Sequence, residues 1–475
     1  MKNRILFFLT FTVFITSCSN FISGKQATPL PYEEREFIKL STMMSDIPNI
    51  TIQDERKNIK FYVVAFDGTG NNKYDIDEDS ERKTIVAYLY DLLSDRNIPG
   101  QYYEGPGYNN LIDSALCITC IEKAETAVSD LKHMMSNDWD SIENLEVRVI
   151  VLGFSRGAAI GRHFMNLLDD NFQTSLSASY KNKEPLVRST GIMFDTVPTS
   201  VDKKLQLPIS PSTDYFIHVI AKNEHRDLFY GVKDFDPNYV AMPIHLNDIK
   251  FLTCPKGQVK SSHRHLQIEL PGSHSDIGSS YSNGIGTIYR YYGLYILVKL
   301  GLIHDNQFKI EEPFYSQGYH DSRGYIDVIK EVFFGENQER EFLEVTAELL
   351  SDEDFELLDK RLNTMYRSSN TSFYTENTEL IPLVFDVIKR DNKLIIIDNH
   401  SGIEANNIGY FYFNGTHTIK YHFAQSEIDS LLPLPQKVWD NIPSNKKTRI
   451  EFLLLENDDI KKAYLYVNCQ KVFEY

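Results

Sequence analysis

LEVRVIVLGFSRGAAIGRHFMNLL, residues 145–168, is the stretch whose reading decides the fold. Leu145 to Leu152 (LEVRVIVL) reads as a buried strand. From Arg156 to Leu168 the pattern becomes helical, and the first turns carry small residues. Between them lies Gly153-Phe154-Ser155-Arg156-Gly157, a serine held in a tight strand-to-helix turn. The flanking glycines have a steric task, since a Cβ at either place would meet the strand or the helix. The helix N-terminus behind Ser155 puts partial positive charge where an oxyanion would form. This is the geometry of a nucleophile elbow.

The bulk numbers set limits around that reading. The chain has 475 residues, 42% hydrophobic and 24% charged, enough for a large domain and a smaller one. Its formal net charge of -17 and the lack of a basic patch with interleaved aromatics argue against nucleic acid as a partner. Lys2 and Arg4 precede the apolar run Ile5 to Ile15, too short to span a bilayer and typical of an export signal. It ends in Ile15-Thr16-Ser17-Cys18, which resembles a bacterial lipobox with Cys18 as the lipidated residue. Ser19 in place of Asp resembles the outer-membrane sorting pattern. The expected location is therefore the bacterial cell envelope, anchored by lipid at the outer membrane. Cys117 and Cys120 fit a local disulfide or free thiols better than a redox or zinc motif, because no second CxxC or nearby His pair accompanies them.

Further strands are expected at Ile59 to Phe66, Thr190 to Phe194, Tyr215 to Ala221 and Leu266 to Leu270. Helices are expected at Thr84 to Leu93 and Ile121 to Met135, and Tyr102 to Tyr108 reads as a loop. Alternating strands and helices predict an α/β class with a mostly parallel sheet. The chain divides into a signal (1–18), a polar tether (19–57), an α/β domain (58–330), a helical extension (331–370) and a small β-rich module (371–475). Gln338 to Tyr366 reads as two acidic amphipathic helices.

A serine nucleophile needs a base, and the base needs a partner that fixes its tautomer. Asp195 ends the strand after the elbow unit and is the candidate acid, against the bland reading of a turn-capping Asp. His274, in Leu270 to Gly278 (LPGSHSDIG), is the candidate base. His163 lies on the elbow helix, His218 lies inside a strand, and His263 and His265 precede one; these are set aside. Asp67, Gly68 and Thr69 form a turn-rich loop that could bring a backbone N–H to an oxyanion, with Arg156 supplying the other. A phosphate cradle is the competing reading of that loop, but no Gly-Lys-Ser follows. The mechanism calls for no metal and no organic cofactor.

FDGTGNN (66–72), GFSRGAA (153–159), FDTV (194–197), NEHRDLF (223–229) and LPGSHSDIGSSY (270–281) together resemble the first class of type VI secretion lipase effectors. The resemblance covers roughly residues 58 to 305. It implies an α/β-hydrolase fold and a serine esterase acting on membrane glycerophospholipids. It also implies Ser155 as nucleophile, His274 as base and Asp195 as acid, with Asp67 and Asp276 in supporting positions. Two features depart from the family: Ser279-Ser280 where glycines are common, and an export signal that an injected toxin does not need. A non-catalytic envelope lipoprotein that binds lipid or protein, and a carboxylesterase or thioesterase of other substrate, are the alternatives. A protein partner for the C-terminal module is also left open.

Overall fold

The computed structural model describes residues 28–30, 34, 38, 47–52, 57–76, 82–179, 184–226, 229–236, 242–243, 259–261, 264–304, 318–322, 340–369, 381–390, 393–397, 409–413, 416–422, 429–454, 460–467 and 470–475. The chain forms two units. The larger comprises residues 1–31, 45–242 and 257–370; the smaller comprises 32–44, 243–256 and 371–475.

The larger unit is built on a mostly parallel sheet. Its strands are β1 (Asn58–Phe66), β2 (Gly100–Tyr103), β3 (Leu145–Phe154), β4 (Leu186–Phe194) and β5 (Thr213–Ala221). After a separate strand β6 (Gly231–Phe235) comes β7 (His265–Leu270), which joins the same sheet. The parallel order is β2-β1-β3-β4-β5-β7, and Val259–Ser261 runs antiparallel beside β7. Every residue of β3, β4 and β5 is buried, as expected where crossover helices cover both faces.

The helices include α1 (Ile85–Ser94), α2 (Leu111–Leu116), α3 (Cys120–Asp138), α4 (Arg156–Asn171), α5 (His274–Ile277), α6 (Gly286–Lys299) and α7 (Asp352–Ser369). Thr84 caps α1 by accepting from the Ala87 N–H. Cys117 and Cys120 form a disulfide between α2 and α3. The core beneath α3 and α4 is made by Val147, Val149 and Val151 of β3 with Ala127, Leu131, Ala158 and Phe164. Among the described residues no helix is long and apolar enough to cross a membrane.

Several sequence expectations need correction. Phe342–Thr346 is a strand, β8, parallel to β6, and only α7 of the two expected acidic helices forms. The segment FLEVT alternates around β-branched and aromatic residues, and pairing with β6 overrides its acidic helical spacing. Residues 47–52, assigned to the tether, pack on the unit: Ile47 and Ile50 are buried, and Ile50 N–H donates to Leu300 O at 3.0 Å. Tyr102 and Tyr103 end a strand rather than lying in a loop. Cys18 and the apolar run before it lie outside the described residues.

The smaller unit carries two antiparallel sheets. One has the order Lys393–Ile397, Ile381–Arg390, Lys447–Leu454, Ile460–Val467, Gln470–Glu474. The other comprises Gly409–Phe413, Thr416–His422 and Asp429–Leu434. Val387, Ile450 and Leu465 are buried on the first sheet.

Candidate active site

Parallel strands deliver their C-terminal ends to one edge, and the candidate residues collect there. Ser155 follows β3 with φ 58° and ψ -128°, a conformation that costs a non-glycine residue energy. It is held by Ser155 N–H donating to Phe194 O at 3.0 Å and by Val197 N–H donating to Ser155 O at 3.2 Å. The elbow is thus pinned from both sides of Asp195. Asp195 also has positive φ, 45°.

Asp195 and His274, 79 positions apart, meet with Asp195 Oδ2 and His274 Nδ1 at 2.5 Å. Asp195 Oδ1 accepts from Ala221 N–H at 2.9 Å. Arg340 forms a fork on the same carboxylate, Nη1 to Oδ1 at 2.7 Å and Nη2 to Oδ2 at 3.0 Å. Burial alone would raise the Asp195 carboxyl, but the charge of Arg340 and the bond to His274 outweigh it and hold it far below the usual range. Burial lowers the His274 imidazole, with the Asp195 hydrogen bond and charge opposing it. Among the described residues no hydrogen bond joins Ser155 Oγ to His274. The two are linked through Phe154, whose ring stacks on the imidazole at 4.6 Å between centroids. Such a catalytic bond is often long before substrate arrives.

The walls around His274 come from blocks quoted above. Phe229 meets the imidazole edge-on at 5.1 Å, and Arg226 lies over the Phe229 ring at 3.5 Å. Glu224 accepts from His274 N–H at 3.2 Å and pairs with Arg226, Oε2 to Nη2 at 2.8 Å. Although burial pushes the other way, Arg226 brings the Glu224 carboxyl down to about 2. His274 opens a short helix instead of sitting in an open loop, because Ser273 and Asp276 form a capping box. Asp276 also accepts from His320 N–H at 2.8 Å and pairs with His320 Nδ1 at 2.7 Å. Its contacts are all of this fixing kind. Ser279, the departure from glycine, has φ 54° and is held by Arg290 Nε donating to its Oγ at 2.9 Å.

The loop after β1 packs on the elbow. Cβ atoms placed at Gly68 or Gly278 would strike the Phe154 ring, so both backbones lie against it. Asp67 is wholly buried and accepts from Gly68 N–H (2.7 Å), Thr84 Oγ1 (2.8 Å) and Tyr102 OH (2.6 Å). The Gly68 N–H is therefore engaged by Asp67. Thr69 Oγ1 is a buried atom with no hydrogen-bond partner. The Arg156 side chain donates through Nη1 to Ser114 O.

The sequence reading passed over several residues of this region. Arg340 lies in a polar stretch with no periodicity to single it out. His218, set aside as a base, pairs with Asp234 at 2.9 Å and accepts from Thr196 N–H at 3.3 Å, supporting the residue next to Asp195. Arg162 clamps the same Asp234 at 2.7 and 2.8 Å. Glu224 stood inside NEHRDLF with no role of its own, and His320 lies in none of the quoted blocks.

No family model matches the chain, and no curated relative matches it. Among solved structures it is similar to that of the Tle1 effector bound to the VgrG spike from the Type 6 secretion system. The identity is 18%, 48% of this chain and 52% of that chain are covered, and the TM-score is 0.29. It is also similar to the crystal structure of an uncharacterized protein from Pseudomonas aeruginosa, with 15% identity, coverage of 74% and 56%, and a TM-score of 0.30. The chain thus spans little more than half the length of each.

Proposed function

We propose that this chain is a serine hydrolase that cleaves acyl esters. Ser155 Oγ attacks the ester carbonyl carbon while His274 Nε2 takes its proton. His274 then returns the proton to the leaving alkoxide, and water repeats the sequence to release the acid. Asp195 keeps Nδ1 protonated and the ring oriented. The observation that carries this reading is the buried Asp195–His274 hydrogen bond beside a strained Ser155 at the head of α4. The Thr69 and Arg156 N–H groups stabilise the oxyanion. Thr69 Oγ1, buried without a partner, supplies a further donor.

The substrate class is membrane glycerophospholipid, by a phospholipase A-like reaction; this rests on the ordered motif blocks shared with the lipase effectors. We further propose attachment to the outer membrane through lipidated Cys18, supported by the basic start, the apolar run and the Ile15 to Cys18 pattern. Metabolic labelling with a palmitate analogue, lost in Cys18→Ser, tests that attachment.

Fluorophosphonate labelling of the purified chain beside Ser155→Ala tests the chemistry. Labelling that disappears in the variant is expected, with a drop in ester turnover of about a millionfold if the triad acts as a unit. Absence of labelling in folded wild-type protein would favour the non-catalytic lipoprotein.

A further inference from the structure

Three buried groups share one small space at the candidate acid. Asp195 is fully buried, His274 is 4% exposed and the Arg340 side chain is 4% exposed. In the triad template the acid's negative charge faces the imidazolium with no cation written opposite it. Here the guanidinium covers both carboxylate oxygens from another side, and its remaining contacts fix it there. Nε donates to Phe229 O at 2.8 Å, and Nη1 donates to Ala221 O at 3.0 Å. Phe229 in turn packs on His274. Arg340 thus ties together the acid, the backbone at the end of β5 and the aromatic wall of the base.

We propose that Arg340 is a positioning residue of the triad that sets the acid limit of its activity by cancelling the charge of Asp195. The proposal rests on the serine-hydrolase reading. With His274 neutral, the group Asp195–His274–Arg340 carries no net charge; with His274 protonated it is a buried cation. The other charges facing His274 do not offset this. Glu224 and Arg226 pair with each other, and Asp276 on the base's own turn is engaged by Ser273 and His320. Protonation of the base is therefore resisted, and the imidazole stays able to accept the Ser155 proton into mildly acidic conditions.

The test compares full-length wild type with Arg340→Met and Arg340→Lys, using kcat/KM against pH on a soluble short-chain ester. Removing the cation lets Asp195 stabilise imidazolium, so the acid limb should move to higher pH by about one unit in Arg340→Met, and by less in Arg340→Lys. A purely structural arginine would lower turnover at all pH values without moving the limb, and that result in folded variants overturns the proposal. Ring-nitrogen NMR of His274 in the unsubstituted chain and in Arg340→Met, assigned with His274→Gln, reads the same balance directly. The midpoint is expected to lie lower in the unsubstituted chain than in folded Arg340→Met, and equal midpoints in the two also overturn the proposal. Because the NMR arm needs no turnover, it stays decisive if Ser155→Ala shows that the hydrolase reading itself has failed.

Discussion

Gly157 lies directly against the backbone of Asp67: a Cβ at Gly157 would collide with the Asp67 and Phe66 carbonyl oxygens. The first turn of α4 and the end of β1 therefore touch main chain to main chain, and this contact sets the distance between Ser155 and the 67–69 loop. No flexible side chain lies between them to absorb an added methyl. Gly157→Ala should destabilise the chain by about 1 to 3 kcal/mol, the usual range for overpacking. It should also abolish fluorophosphonate labelling, because the loop and the serine are displaced together. Full labelling and an unchanged melting temperature would show that the contact is not needed.

The charge on Asp67 has its own signature. Burial raises its carboxyl to about 6, even with hydrogen bonds from Tyr102, Thr84 and Gly68 lowering it. A folded-state value above the unfolded one means that its contribution to stability is fully present below about 4. That contribution is lost as pH rises through about 6. Asp67→Asn has no such titration, although it leaves the Tyr102 hydroxyl without its acceptor. Wild type should therefore lose stability relative to Asp67→Asn between pH 4 and 7, by an amount on the order of 2 to 3 kcal/mol. Urea midpoints of both proteins across that interval measure the difference. A constant offset would mean that the carboxylate is already solvated in the folded chain.

What the sequence made legible, and what it hid, follows from the range of the interactions concerned. β3, the turn and α4 are contiguous, and their hydrophobic periods change where the backbone does, so the elbow can be read from 24 residues. Asp195 and His274 could be nominated because each follows an apolar run that feeds the same sheet edge. Arg340 could not, since its partner Asp195 is 145 positions away and nothing local in the GENQER stretch marks it. The helix beginning at His274 was available in principle: Ser273 and Asp276 stand at capping-box spacing. β8 was not legible because FLEVT is short and sits in an acidic stretch, and only its partner β6 decides its conformation.

The lipid substrate proposed above makes a demand on the surface beside the elbow. Nine large hydrophobic side chains are exposed among the described residues, and four of them, Ile112, Leu116, Ile118 and Ile121, fall within ten positions. They lie on α2, on the turn after it and at the start of α3; the Cys117–Cys120 disulfide closes that turn, and Arg156, the neighbour of Ser155, binds Ser114 O of α2. The one charged residue between 109 and 121, Asp113, turns its carboxylate inward to Gly107 N–H and to the N–H and hydroxyl of Thr119. An apolar face suits acyl chains, and Lys204, whose Nζ donates to Leu116 O at 3.0 Å, sets a cation at its edge in a chain of net charge -17. Ile112 and Ile118 are 53% and 61% exposed, so replacing both by serine removes little core packing. Burying the exposed part of each isoleucine in lipid contributes about 0.8 to 1.8 kcal/mol, so the double variant should turn over phosphatidylcholine vesicles at least about tenfold more slowly. On a monomeric short-chain ester it should match wild type. Equal loss on both substrates would place the effect in the site itself, and no loss on either would remove this face from contact with lipid.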